Sequence, residues 1–367
     1  MSERAERLAA AARERDLDLL LVSDLFNVRW LTGFTGSNGL AILGTAHAGT
    51  AGIFLTDFRY LTQVADQVSP LWDRRQATQE LLGPALEEHF PDWDGPAAPR
   101  VGFDDCRVTV AELERIRAAL SGRAELVPAG GLVEDLREVK DEDEVSRIRE
   151  AARLADRALT EVLEHGLAGR TEAQVALDLE LTMRRHGAEA VSFPPIVASG
   201  PHGALPHAVP RATVIVPGVL VTIDWGARLD GYCSDCTRTF AAAGPPDDEA
   251  RAIYELVEAA QQAALDAVRP GPTGREVDAV ARAAIDAAGH AEHFGHGLGH
   301  GVGLEIHEGP RLSRLGERPL APGMVVTVEP GVYVPGRCGV RIEDLVVVTD
   351  VGADVLNGLP KELQIVD

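Results

Sequence analysis

The chain has 367 residues, 45% of them hydrophobic, which is enough for buried cores and excludes a disordered chain. Its 35 Lys and Arg stand against 57 Asp and Glu, and the net charge of −22 repels nucleic-acid phosphates and anionic membrane surfaces. No apolar run reaches the roughly 18 residues of a membrane span, the charged, Ala-rich start from Met1 to Asp16 has no signal-peptide pattern, and four Cys make no disulfide framework. What remains is an acidic globular protein of about two domains, expected in the cytoplasm, with no nucleic-acid and no membrane partner.

In chain order, Leu19–Val22, Leu40–Leu43 and Ile53–Thr56 read as buried strands. Val110–Leu120 has helical spacing, with Val110, Leu113, Ile116 and Leu120 on one face. Phe90–Arg100, broken by Pro91, Gly95, Pro96 and Pro99, reads as a surface connection. Pro128–Gly131 marks the boundary between a domain at 1–133 and a domain at 134–367. The second domain opens on a charge-dense helical pattern, Lys140–Glu164. Thr171 with Gln174 has capping-box spacing and starts a helix running to about His186. Tyr254–Val268 and Arg275–Ala288 read as further helices, and Thr213–Val216, Leu220–Trp225, Ser234–Phe240, Val325–Glu329 and Val340–Val348 as strands. No internal period survives across the chain.

Seven of the 11 histidines fall between His202 and His307. Among them runs Gly295-His296-Gly297-Leu298-Gly299-His300-Gly301-Val302-Gly303, too rich in glycine for a stable helix. Such a run lets backbone come close to its neighbours and holds histidines at its edge.

Two hairpins carry paired acids. Leu220–Trp225 ends in Asp224, Leu229-Asp230-Gly231 is turn chemistry, and the return strand bears Asp235. A turn centred between Leu229 and Asp230 sets the two aspartates opposite each other; a centre one residue later makes them diagonal neighbours on one face. In the second hairpin, Val325–Glu329 and Gly339–Val348 flank Pro335-Gly336, and Glu329 faces Glu343 with Gly336 at the midpoint. Bare like charges opposed on apolar strands destabilise them, so a positive group belongs between them. Four carboxylates and one imidazole suit two divalent cations of the manganese, cobalt, zinc or iron type. Two such ions about 3.5–4 Å apart would share a bridging hydroxide as nucleophile. The alternative is a solvated hairpin edge with stray acids.

With these segments, the sequence resembles the Xaa-Pro peptidase family of aminopeptidase P and prolidase, the dinuclear metallopeptidases of the pita-bread fold. The likeness runs through Asn27–Gly36, Ser192–Gly200, Ala204–His207, Ile223–Gly226, Ser234-Asp235, His296–Glu308, Glu329–Tyr333 and Gly339–Asp344. It implies an α/β (α+β) architecture, with a small creatinase-like mixed-sheet domain ahead of a pita-bread catalytic domain. It implies metal ligands Asp224, Asp235, His300, Glu329 and Glu343, with manganese before cobalt or zinc. Glu329 would also take a proton from the attacking water. His207 would meet the oxyanion, and His307 the substrate near the scissile amide. His296 would line the pocket, Tyr333 and Arg341 would orient ligands, and Arg311 sits where a prolidase carries a cation for the substrate carboxylate. Substrates are then peptides with proline second, and a homodimer is the expected assembly.

The leading expectation is an Xaa-Pro aminopeptidase, with Xaa-Pro dipeptidase as the alternative and a non-catalytic peptide-binding module as a remoter one. His202, His290 and His293 carry no role, and Cys233-Ser234-Asp235-Cys236 straddles a ligand strand rather than forming a redox or zinc motif.

Overall fold

Residues 2–45, 52–95 and 97–367 are described by a computed structural model of the chain. Met1 and Pro96, which figure in the sequence reading, lie outside the described residues. The chain divides into two units, Met1–Arg137 and Glu138–Asp367. A cut at 133 would fall inside the helix Leu132–Arg137; the division lies at its end.

In the N-terminal unit β1 (Leu19–Val22), β2 (Leu40–Gly44), β3 (Gly52–Thr56), β4 (Trp72–Gln76), β5 (Arg100–Phe103) and β6 (Glu125–Pro128) form one mixed sheet, in the order β4-β3-β2-β1-β5-β6. The four residues of β1 are all buried, so it reads as an unbroken apolar run, as a strand covered on both faces must. The helix Val110–Leu120 opens on a capping box between Thr109 and Glu112. Its buried face is narrower than the spacing predicts: Ile116, Ala119 and Leu120 are buried, while Val110, in the first turn, is 78% exposed.

The C-terminal unit repeats one plan twice. Helices Glu142–Leu163 and Glu172–Arg185 pack on a first hairpin, Leu220–Trp225 with Cys236–Ala242, around Leu159, Leu179, Ile223 and Trp225. Helices Asp248–Ala267 and Gly274–Ala287 pack on a second hairpin, Val325–Val328 with Asp344–Val348, around Val257, Ile285, Val326 and Val346. The third helix begins at the N-cap Asp247, ahead of the predicted Tyr254, because Asp248 and Glu249 continue the turn that the cap opens. Thr213–Val216 is not a strand; its one ladder contact is an isolated bridge from Val214 to Thr171. No described helix is long and apolar enough to cross a membrane.

Candidate metal centre

In the first hairpin Asp224 stands opposite Thr237, and Arg228 opposite Cys233. The turn residues Asp230 and Gly231 have φ of 46° and 75°, the left-handed pair that a two-residue hairpin loop requires. This is the later of the two registers left open by the sequence, so Asp235 is the diagonal neighbour of Asp224. In the second hairpin Val328 pairs with Asp344 and Gly331 with Arg341. Glu329 and Glu343 therefore face each other in the gap between two ladders, in the register that the turn spacing predicts. The predicted strand Val340–Val348 is accordingly two pieces, Cys338–Arg341 and Asp344–Val348, with Glu343 between them. Freed from its own ladder, Glu343 N–H donates across to Thr237 O at 3.0 Å, which ties the hairpins together.

His300 lies on the strand Gly299–Gly301. A Cβ on Gly299 would collide with Thr327 O, and one on Gly301 with Gly309 O, so glycine on both sides lets this strand thread between its neighbours. His300 Nδ1 donates to Gly301 O at 3.0 Å. Its Nε2 is then 3.3 Å from Glu329 Oε1 and 3.6 Å from Asp235 Oδ2. That nitrogen either carries a proton against the two carboxylates or offers its lone pair to a cation among them.

The charges make the case for a cation. Oxygens of Asp224, Asp235 and Glu343 lie within 4.8 Å of one another. Burial first, and then neighbouring carboxylates, pushes Asp235 and Glu343 well above the ordinary carboxylate range. Burial raises Asp224 too, against the pull of Arg341. Glu329 goes the other way, to about 2: its burial is outweighed by the hydrogen bond and charge of His300, with His296 and Arg341 adding to them. Asp224 Oδ1 and Glu343 Oε1 are buried without a hydrogen-bond partner. A buried carboxylate oxygen left this way is costly unless it ligates a cation. Hard oxygens with one imidazole nitrogen fit divalent ions of the manganese, cobalt or zinc type.

Around this cluster the remaining donors are committed. Arg341 bonds Asp224 Oδ2 at 2.6 Å, Thr237 Oγ1 at 3.0 Å, Tyr333 Oη at 2.8 Å and Pro206 O at 3.1 Å. Thr237 Oγ1 donates to Glu343 Oε2 at 2.7 Å, and Thr327 Oγ1 to Glu329 Oε1 at 3.0 Å. Tyr333, accepting from Arg341, donates to His296 Nε2 at 2.9 Å, and His296 Nδ1 donates to Gly297 O at 2.7 Å. Burial holds His296 below the usual imidazole range, in keeping with a neutral ring. The glycine run is held from behind: Asp278 accepts from Leu298 N–H at 3.0 Å and pairs with Arg282, which donates to Phe294 O and His296 O.

The cluster is the floor of a cavity of about 470 Å³. Phe193, Pro194, Pro195 and Ile196 line one part of its wall, and His207 and Val209 another. His307 lines it too, its ring centroid 4.3 Å from that of His300, and burial lowers its pKa. Arg311 is exposed on the strand Glu308–Leu312 and is not among the residues that line the cavity. His290 and His293 bond each other, and Cys233 and Cys236 are free, buried thiols whose pKa values burial raises. Thr237, Thr327, Asp278 and Arg282 escaped the sequence reading. Thr237 and Thr327 had a signal there, each two residues from a predicted ligand, Asp235 and Glu329, and so on its face of the strand.

Two family models cover the chain: the creatinase/prolidase N-terminal domain over residues 4–139 and metallopeptidase family M24 over 146–350. A Bacillus subtilis relative, the uncharacterized peptidase YqhT, is 41% identical over 98% of both chains. Among solved structures, an Xaa-Pro dipeptidase from Bacillus anthracis is 39% identical with a TM-score of 0.91, covering 99% of both chains. An X-Pro aminopeptidase from Thermotoga maritima is 34% identical with a TM-score of 0.86, covering 97% of this chain and all of its own. With a mixed-sheet leading domain, a pita-bread fold and a buried carboxylate cluster beneath a cavity, the chain belongs to metallopeptidase family M24, in its Xaa-Pro peptidase branch.

Proposed function

We propose that the protein is an Xaa-Pro dipeptidase, releasing proline from dipeptides. The observation that carries this reading is the cavity floor, where five ligand-type side chains converge and two buried carboxylate oxygens have no partner. The dipeptidase is preferred to the aminopeptidase because, of the two full-length structural relatives above, the dipeptidase has the higher identity and TM-score. The cavity is of small-ligand size.

Asp224, Asp235, His300, Glu329 and Glu343 would hold two divalent ions, manganese first, with cobalt or zinc as replacements. Those ions would supply Lewis-acid polarisation of the scissile carbonyl and acidification of a water. The Xaa-Pro bond has no amide N–H to recognise, so the chain's own groups must read the rest of the substrate. Glu329, kept ionised beside His300, accepts the proton of the attacking water. His207 donates to the developing oxyanion, and His307, its pKa lowered by burial, stands near the scissile nitrogen. Arg341 fixes Asp224 and, through Tyr333, His296. A homodimer is the expected assembly.

The test compares an Xaa-Pro dipeptide with Arg-Pro-Pro at saturating manganese. The dipeptide is expected to be cut at least ~10-fold faster in kcat/KM, about 1.4 kcal/mol of discrimination. Faster cleavage of the tripeptide would return the aminopeptidase reading.

A further inference from the structure

Glu172 is the first residue of the helix Glu172–Arg185 and is fully buried. A buried carboxylate needs donors, and all those that bond it come from one segment of chain. Ser199 N–H and Ser199 Oγ each donate to its Oε1 at 2.8 Å. His202 Nδ1 donates to its Oε2 at 2.8 Å and Arg211 N–H at 3.1 Å. These donors stand at the start of residues 199–211, three residues further on, and at its end. The stretch they bracket carries Pro206, His207, Ala208, Val209 and Pro210, all of which line the cavity. On the opposite side Arg341 reaches Pro206 O at 3.1 Å, and Gly203 lies so close to Gly339 that a Cβ on Gly339 would collide with it. His207 is exposed, and among the described residues no hydrogen bond holds its ring, so its place is set by the loop.

We propose that Glu172 is the positioning residue of this cavity wall, acting through Ser199, His202 and Arg211 to hold His207 over the carboxylate cluster. The proposal rests on His207 facing the substrate, as in the function proposed above. An acid in a first helical turn is usually exposed and serves the helix dipole; this one is buried and spends its oxygens on the loop. Of the His202 ring only Nδ1 is used, since its Nε2 is buried without a partner.

The test is Glu172→Gln, which leaves one oxygen and turns the other acceptor into a donor that Arg211 N–H cannot use and that His202 Nδ1 can meet only by changing tautomer. Amide hydrogen exchange over 199–211 is expected to rise while that of 220–225 stays as in the wild type. Metal content should be unchanged, and kcat for an Xaa-Pro dipeptide should fall about 10-fold. In a His207→Ala background, Glu172→Gln should cost less than about twofold further, because coupled residues do not add. His202→Asn, which keeps a donor where Nδ1 stands, should preserve the wild-type exchange pattern where His202→Ala does not. Should Glu172→Gln fail to fold, Ser199→Ala removes one of the four bonds and is expected to give the same pattern at smaller size. Unchanged exchange overturns the proposal, as does raised exchange with unchanged kcat, or a full effect on top of His207→Ala. A wild-type protein that cuts no Xaa-Pro dipeptide overturns the function instead, and the exchange pattern then decides the clamp alone.

Discussion

Thr171 and Thr273 each cap the second helix of one half of the catalytic unit. Each closes a capping box, and each forms an isolated bridge to the segment leading into its hairpin, Thr171 to Val214 and Thr273 to Pro319. At the next residue the halves part. Glu172 reaches out to fasten the 199–211 loop, whereas Gly274 makes room for Arg311 O, with which a Cβ there would collide. The second half fastens its own wall, the glycine run, one turn later through Asp278 and Arg282. The shared plan thus sets the four acids on two hairpins, Asp224 within its ladder and Asp235, Glu329 and Glu343 where the pairing lapses, while each half has its own way of holding the walls above them.

The sharpest test of the shared plan is to remove one acid from each half. Asp235→Ala and Glu343→Ala should each abolish hydrolysis and metal binding together, read by turnover and elemental analysis. Retained hydrolysis in either variant would break the equivalence and the two-ion reading with it. Chelation of the intact protein should lower the melting temperature of the catalytic unit by about 5–10 °C, read by calorimetry. The pH sign follows from Asp235 and Glu343, whose pKa values lie above the ordinary carboxylate range without ions. Their ionisation then costs stability as pH rises above that range toward their raised values, and bound cations offset that cost. The loss on chelation should therefore be larger at pH 8 than at pH 5.

Next in size is the contrast between the wall fastenings. Arg282→Met removes the bonds to Phe294 O and His296 O while leaving all five ligand-type residues in place. It should lower kcat/KM by about 10- to 100-fold, with metal content retained at saturating manganese. An effect under twofold would show that the glycine run, unlike the 199–211 loop, holds itself.

The acids were legible because a hairpin's turn fixes its register, and register is arithmetic. Glu329 and Glu343 could be paired from the position of Gly336 alone. Asp224 and Asp235 could be narrowed to two registers, and the choice needed the left-handed φ at both Asp230 and Gly231. The doubling of the unit showed in the sequence only as two acid-bearing hairpins; the helices that back them gave no period, since positions such as Glu172 and Gly274 carry unlike residues and what repeats there is backbone. Glu172, Asp278 and Arg282 were hidden for another reason: a charged residue on an amphipathic helix is ordinarily solvated, and only tertiary packing buries these acids. Arg311 is the reverse case: its motif drew it into the site, and strand alternation leaves its side chain exposed, outside the residues that line the cavity.

The smallest effect on turnover, and a further asymmetry between the halves, is expected at Asp156. It lies on the helix Glu142–Leu163 of the first half, accepts from Gly358 N–H at 2.6 Å through Oδ2, and leaves Oδ1 buried without a partner. Among the described residues neither helix of the second half holds such an oxygen. Burial raises its pKa from 3.8 to about 6, against the Gly358 bond and the charge of Arg238. Between those values the folded chain binds the proton more tightly than the unfolded one, so this group's contribution to stability falls as pH rises through the window, by up to about 3 kcal/mol. Asp156→Asn keeps the carbonyl that accepts from Gly358 and cannot ionise. Denaturant midpoints of the metal-free catalytic unit, taken for both proteins from pH 4 to pH 7, should therefore shift in the variant's favour with rising pH. Parallel curves would mean that the carboxyl is ionised in the fold without penalty, and the asymmetry between the halves would shrink to their wall fastenings.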